Sequence, residues 1–160
     1  GIKDLLLNAT ILVLVATGQS LVVITRNVDL SVGSTLGISA FAAGTYLHGG
    51  GNPGIAILLA VLLGVGFGLL NGLLVSLGQV PALVVTLGTL YIIRGIDSIW
   101  VGSRQITAAD LPGGFVDFGS GGISAVPWLA LFPPVVLVAT AYYLNRFSSR
   151  RVLYSRVSNP

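Results

Sequence analysis

Residues 55–77 read IAILLAVLLGVGFGLLNGLLVSL, with no charge anywhere and Asn71 as the one amide. A helix rises 1.5 Å per residue, so a run of this length crosses the ~30 Å hydrocarbon core of a bilayer. Working outward, residues 48–54 (HGGGNPG) are turn-forming and separate it from an apolar run over 30–47. Before that lies a run over 5–25, closed by Arg26 and Asp29. On the other side, Gly78-Gln79-Val80-Pro81 leads into a shorter run over 82–93, ended by Arg94. A polar, Gly- and Asp-rich stretch continues to Pro127, and 128–144 is the last apolar run. The pattern predicts an all-α, polytopic transmembrane helical bundle of about five spans. The runs over 30–47 and 82–93 are weak enough to be either full spans or broken or re-entrant helices.

Composition agrees. Of 160 residues 54% are hydrophobic and 8% charged, where a soluble domain carries about 25% charge. Low charge with high apolarity also excludes disorder. Cys is absent, so there is no disulfide framework, thiolate metal site or cysteine nucleophile. The chain opens at Gly1 without an initiator Met and stops at Pro160 inside a basic segment, which reads as a fragment; no basic n-region precedes the first apolar run, so that run is not a signal peptide. The net charge of +3 resides on residues that flank apolar runs, which favours membrane topology over nucleic acid binding. With Arg26, Arg146, Arg150, Arg151 and Arg156 inside, Lys3, Arg94 and Arg104 fall outside. That puts the N-terminus out and the C-terminus in. Residues 1–160 then form one transmembrane domain, with 94–127 an external loop and 145–160 a cytoplasmic segment.

Enzyme signals are missing. There is no GxxxxGK[ST], GxSxG or HExxH, and one His without Cys or Glu makes no metal cluster. No cofactor is implied. Polar groups within apolar runs are more informative, because each costs free energy in lipid unless it is paired or wetted. Thr86 and Thr89 suit bonds back to their own helix. Asn71 suits either an interhelical hydrogen bond or a position lining a pathway. Asp29 and Ser31 suit N-caps at the membrane edge, or a polar route past a helix N-terminus. Gly64, Gly68 and Gly72 repeat at four-residue intervals, a stripe for helix packing within the chain or for a dimer seam.

Four blocks together carry a family likeness. Val28-Asp29-Leu30-Ser31-Val32-Gly33-Ser34, Gly68-Leu69-Leu70-Asn71-Gly72-Leu73-Leu74-Val75, and Pro81-Ala82-Leu83-Val84-Val85-Thr86-Leu87-Gly88-Thr89 with Arg94-Gly95 occur in order. Arg151-Val152-Leu153-Tyr154, then Asn159-Pro160, closes the set. The chain resembles the permease subunits of bacterial ABC importers for ribose, rhamnose, xylose, galactose and the furanosyl autoinducer. It departs from that pattern at Ser155, Arg156 and Val157, where the family has small residues between Tyr and Asn. The family's chains are about twice this length.

The resemblance implies a multi-pass protein of the bacterial plasma (inner) membrane with no catalytic activity of its own. Its partners would be a cytoplasmic ABC ATPase that binds ATP, an extracytoplasmic sugar-binding protein, and a second permease copy or homologue. It implies that Asp29, Ser31, Gly33, Asn71, Thr86 and Thr89 lie on the substrate pathway or its wall, and that Arg151, Tyr154 and Asn159 couple to the ATPase. Two rival readings are a small membrane scaffold held by the Gly64/Gly68/Gly72 seam and a non-functional truncated permease.

Overall fold

The computed structural model describes residues 1–123 and 126–146. Its elements are six α-helices: α1 (Ile2–Ile24), α2 (Val32–His48), α3 (Pro53–Ser76), α4 (Ala82–Trp100), α5 (Gly113–Ser120) and α6 (Phe132–Arg146). Two 3₁₀ turns (Ala108–Asp110 and Trp128–Leu131) and a two-stranded hairpin, β1 (Gly122–Ile123) with β2 (Val126–Pro127), complete them. The helical class holds, with strand confined to that hairpin, whose register pairs Gly122 with Pro127.

Local chemistry sets the boundaries. Asn52 opens α3 by accepting the Gly54 amide at 2.8 Å, and Pro53 follows in the first turn, where a missing N–H costs nothing. Gly78 closes it: a Cβ there would sit 2.5 Å from the Leu74 carbonyl oxygen. Pro133 and Pro134 similarly lie in the first turn of α6.

One expectation needs correction. The run over 82–93 does not stop at Arg94; α4 continues to Trp100. A charge ends an apolar run but not a helix, and Arg94 stays exposed while Ser98 donates to its carbonyl at 2.9 Å. The turn comes at Gly102, whose φ of +56° suits glycine. The connecting stretch therefore begins about seven residues later than 94, and it carries the 3₁₀ turn, α5 and the hairpin. Each of the five apolar runs forms a helix. Among the described residues four helices are long and apolar enough to cross a membrane: Ile2–Ile24, Pro53–Ser76, Ala82–Trp100 and Trp128–Arg146. The fifth run became α2, a continuous helix of 17 residues, about 26 Å long. Neither weak run is broken.

The chain divides into two compact units. One comprises Gly1–Val28 with the chain from Asp117 onward; in it α1 packs on α6, the second 3₁₀ turn and β2. The other, Asp29–Val116, holds α2, α3 and α4, with α2 packed on both the others. Its core is Ile38, Ala42 and Leu47 of α2, Ala56 of α3, and Ala82, Val85 and Ile93 of α4. This second unit carries the polar cluster.

Candidate functional site

The chain enters α2 through Asn27-Val28-Asp29-Leu30-Ser31. Ser31 takes the N-cap position, yet its hydroxyl makes no bond to the helix amides. Instead its backbone N–H and its Oγ–H both donate to Asp29 Oδ1, at 2.8 and 2.7 Å. That Asx-type turn directs the Ser31 oxygen away from its own helix. Asn71 of α3 donates from Nδ2 to Ser31 Oγ at 2.9 Å, and Thr89 of α4 donates to Asn71 Oδ1 at 2.6 Å. Thr89 Oγ1 also lies 3.1 Å from the Val85 carbonyl, and its single hydrogen serves both.

The result is a one-way series of donors, Thr89 to Asn71 to Ser31 to Asp29, ending on an acceptor-only carboxylate. The order fixes the Asn71 amide. Because the Ser31 hydrogen is committed to Asp29, its oxygen can only accept, so the Asn71 nitrogen must face it. Ser31, Asn71 and Thr89 are 1%, 5% and 6% exposed. A buried network of this kind is stabilising only when its members are satisfied, and these are.

Of the residues expected on the pathway or its wall, Asp29, Ser31, Asn71 and Thr89 thus come together from three elements 18 to 40 positions apart. Thr86 is buried one turn before Thr89 and donates to the Ala82 carbonyl at 2.8 Å. Gly33 is exposed in the first turn of α2, and a Cβ there would meet nothing within 4 Å. Gly37 and Ala40 continue this exposed strip of small residues. Gly64, Gly68 and Gly72 also have open space where a Cβ would stand. Among the described residues no neighbour fills the space beside this stripe, which leaves room there for another helix. Arg151, Tyr154 and Asn159 lie outside the described residues. Among the described residues no group of three or more His, Cys, Asp or Glu could hold a metal ion.

A second polar cluster went unmarked by any motif. His48 at the end of α2 and Asp110 in the first 3₁₀ turn meet although 62 positions apart. Turn-forming residues around both were the only signal, and these say nothing about what they approach.

Comparison with known proteins was informative at the level of family. A model described as branched-chain amino acid transport system / permease component matches residues 1–150. The autoinducer 2 import system permease protein LsrC of Salmonella typhimurium is 40% identical over 149 residues, covering 89% of this chain and 42% of that protein. Its namesake in Escherichia coli K12 is 38% identical over 156 residues, covering 95% of this chain and 44% of that protein. The chain thus spans less than half the length of these curated relatives. No solved structure matches it.

Proposed function

The chain belongs to the family of branched-chain amino acid transport system permease components, and we propose that it forms part of the translocation pathway of an ATP-driven importer for a monosaccharide or related sugar. In this reading it is a multi-pass permease portion in a bacterial inner membrane, and it hydrolyses nothing. ATP is consumed on a separate cytoplasmic ATPase, an extracytoplasmic binding protein delivers the sugar, and a second permease copy or homologue completes the path.

The observation that supports a neutral substrate is the character of the polar groups joining α2, α3 and α4: amide, hydroxyl and one carboxylate already engaged by Ser31. Sugars are uncharged and exchange hydrogen bonds with such groups without an ion to desolvate. Asp29, Ser31, Asn71, Thr86 and Thr89 make the packed wall, and Gly33 gives the exposed backbone strip beside it. Arg151, Tyr154 and Asn159 dock the ATPase.

Uptake tests this directly. The whole permease, reconstituted with its ATPase and binding protein, is given labelled D-ribose, L-rhamnose, D-xylose or D-galactose with and without ATP. ATP-dependent accumulation of one of them is expected, and co-purification of the ATPase should fail when Arg151 and Tyr154 are both replaced by Ala. Accumulation of branched-chain amino acids and of no sugar would overturn the substrate assignment. Unchanged co-purification would overturn the docking assignment.

A further inference from the structure

We propose that the cleft between the C-terminal half of α2 and residues 104–110 is a binding site for a neutral, hydroxyl-rich molecule of single-sugar size. The inference rests on the sugar-importer reading and names a second place where that substrate is held, apart from the Asn71 network.

Phe41, Thr45 and His48 fall four and three residues apart, so they share one face of α2. Arg104, Gln105 and Asp110 form the opposite wall of a half-open cleft whose volume is about 240 Å³. At ~30 Å³ per water that is room for about eight waters, the scale of one sugar ring.

The walls are fixed by contacts that need no ligand. Ile106 lies against α2 where Gly44 has no side chain, its Cγ2 being 3.2 Å from where a Cβ would stand. Phe41 and Trp100 meet edge to face at 5.3 Å. The Arg104 guanidinium sits 5.8 Å over the Phe41 ring and donates to the Trp100 and Val101 carbonyls. His48 Nδ1 is 3.3 Å from the Asp110 carbonyl oxygen. A site built before its ligand arrives loses little entropy on binding.

The chemistry on offer suits a polyol. A carbonyl only accepts, so His48 carries its hydrogen on Nδ1, and in the neutral ring Nε2 is left as an acceptor. Two of the five guanidinium N–H groups of Arg104 are used, leaving donors. Asp110 takes the Thr107 amide and hydroxyl on Oδ2, at 2.7 and 2.8 Å, and keeps Oδ1. Gln105 supplies one amide oxygen and one NH₂. A sugar hydroxyl both donates and accepts, so it can satisfy either wall. Net charge selects further: one guanidinium and one carboxylate share the cleft. An anionic sugar ester gains Arg104 but is opposed by Asp110, and a cation the reverse, so added charge brings no net advantage over a neutral sugar.

The whole permease in lipid nanodiscs, without ATPase or binding protein, is tested for equilibrium binding of the same four tritiated sugars and of D-ribose 5-phosphate. One neutral sugar should bind saturably and the phosphate ester should not. Gln105→Leu should weaken that binding by about tenfold or more with the melting temperature unchanged, and Arg104→Gln should weaken it by at least as much. No saturable binding by the unaltered protein, equal affinity in both variants, or tighter binding of the phosphate ester would overturn the cleft. Reconstituted uptake separates this from the parent reading. Sugar uptake without variant-sensitive binding removes the cleft and leaves the importer. Variant-sensitive binding without uptake of any sugar removes the importer and leaves the cleft as a sugar site.

Discussion

Replacing Asn71 by Ala deletes the central member of the Asp29–Ser31–Asn71–Thr89 series, and the structure sets the size of the loss. Two interhelical hydrogen bonds disappear, at 2.9 Å to Ser31 and 2.6 Å from Thr89. Such bonds in membrane proteins average ~0.6 kcal/mol and reach ~1.7 kcal/mol, so the pair contributes about 1–3 kcal/mol. The larger cost of an orphaned donor does not apply. Ser31 still donates to Asp29 at 2.7 Å, and Thr89 still reaches the Val85 carbonyl at 3.1 Å. The decisive assay is a double-mutant cycle of Asn71→Ala and Thr89→Val, read from reversible unfolding of the permease in mixed micelles. A coupling of about 0.6 kcal/mol or more is expected. The control cycle pairs Asn71→Ala with Ser98→Ala, because Ser98 bonds only the Arg94 carbonyl, and its coupling should be near zero. Coupling below ~0.3 kcal/mol for Asn71 with Thr89, or equal in the two cycles, would refute the network argument.

Gly44→Leu should destabilise the permease by about 1–3 kcal/mol in the same unfolding assay, since Ile106 already stands 3.2 Å from where a Cβ would be; an unchanged midpoint would contradict that packing. Gly68→Leu should leave the stability of the chain unaltered, because its Cβ position is open, while lowering self-association measured by crosslinking; loss of stability with intact association would place the stripe inside the chain after all. The Thr107 amide and hydroxyl, helped by His48, hold the Asp110 carboxyl below its ordinary value of 3.8. A lowered folded value means the turn is stabilised above the ordinary value and loses that support as pH falls through the depressed one. Hydrogen exchange at the Thr107 amide should therefore be protected at pH 7 and lose protection only as pH falls below the ordinary carboxyl value of 3.8, and Asp110→Asn should flatten the profile.

The helices were legible because lipid imposes a length and an apolarity that residues 55–77 meet on their own. What misled was the reading of charge as a stop. Arg94 and Asp97 lie one turn apart within α4, and a helix at a membrane edge continues into charge for as long as nothing breaks its backbone. The Thr86 back-bond was foreseen from residue type, and an interhelical bond at Asn71 was one of two alternatives. Its partners were not foreseen. Nothing local in Ser31 says that its N-cap position would go unused by its own side chain, because that depends on Asp29 taking both its donors and on α3 being near. The His48–Asp110 meeting was illegible for the same reason: it is a product of where residues 104–110 fold back, not of any spacing.

The single polar anchor on α3 answers a problem particular to membranes. Of its 24 residues only Ala56 and Asn71 are buried, and Leu58, Val61, Leu62, Val65 and Leu69 are 54–61% exposed. A helix apolar all round gains little from any one rotation, because lipid tails are as apolar as Leu. Turning α3 by one residue, ~100°, would carry Asn71 out of reach of Ser31 and Thr89 and would bring an isoleucine to the place of the fully buried Ala56. The network thus sets the rotation of α3 against α2 and α4 together with the close fit at Ala56.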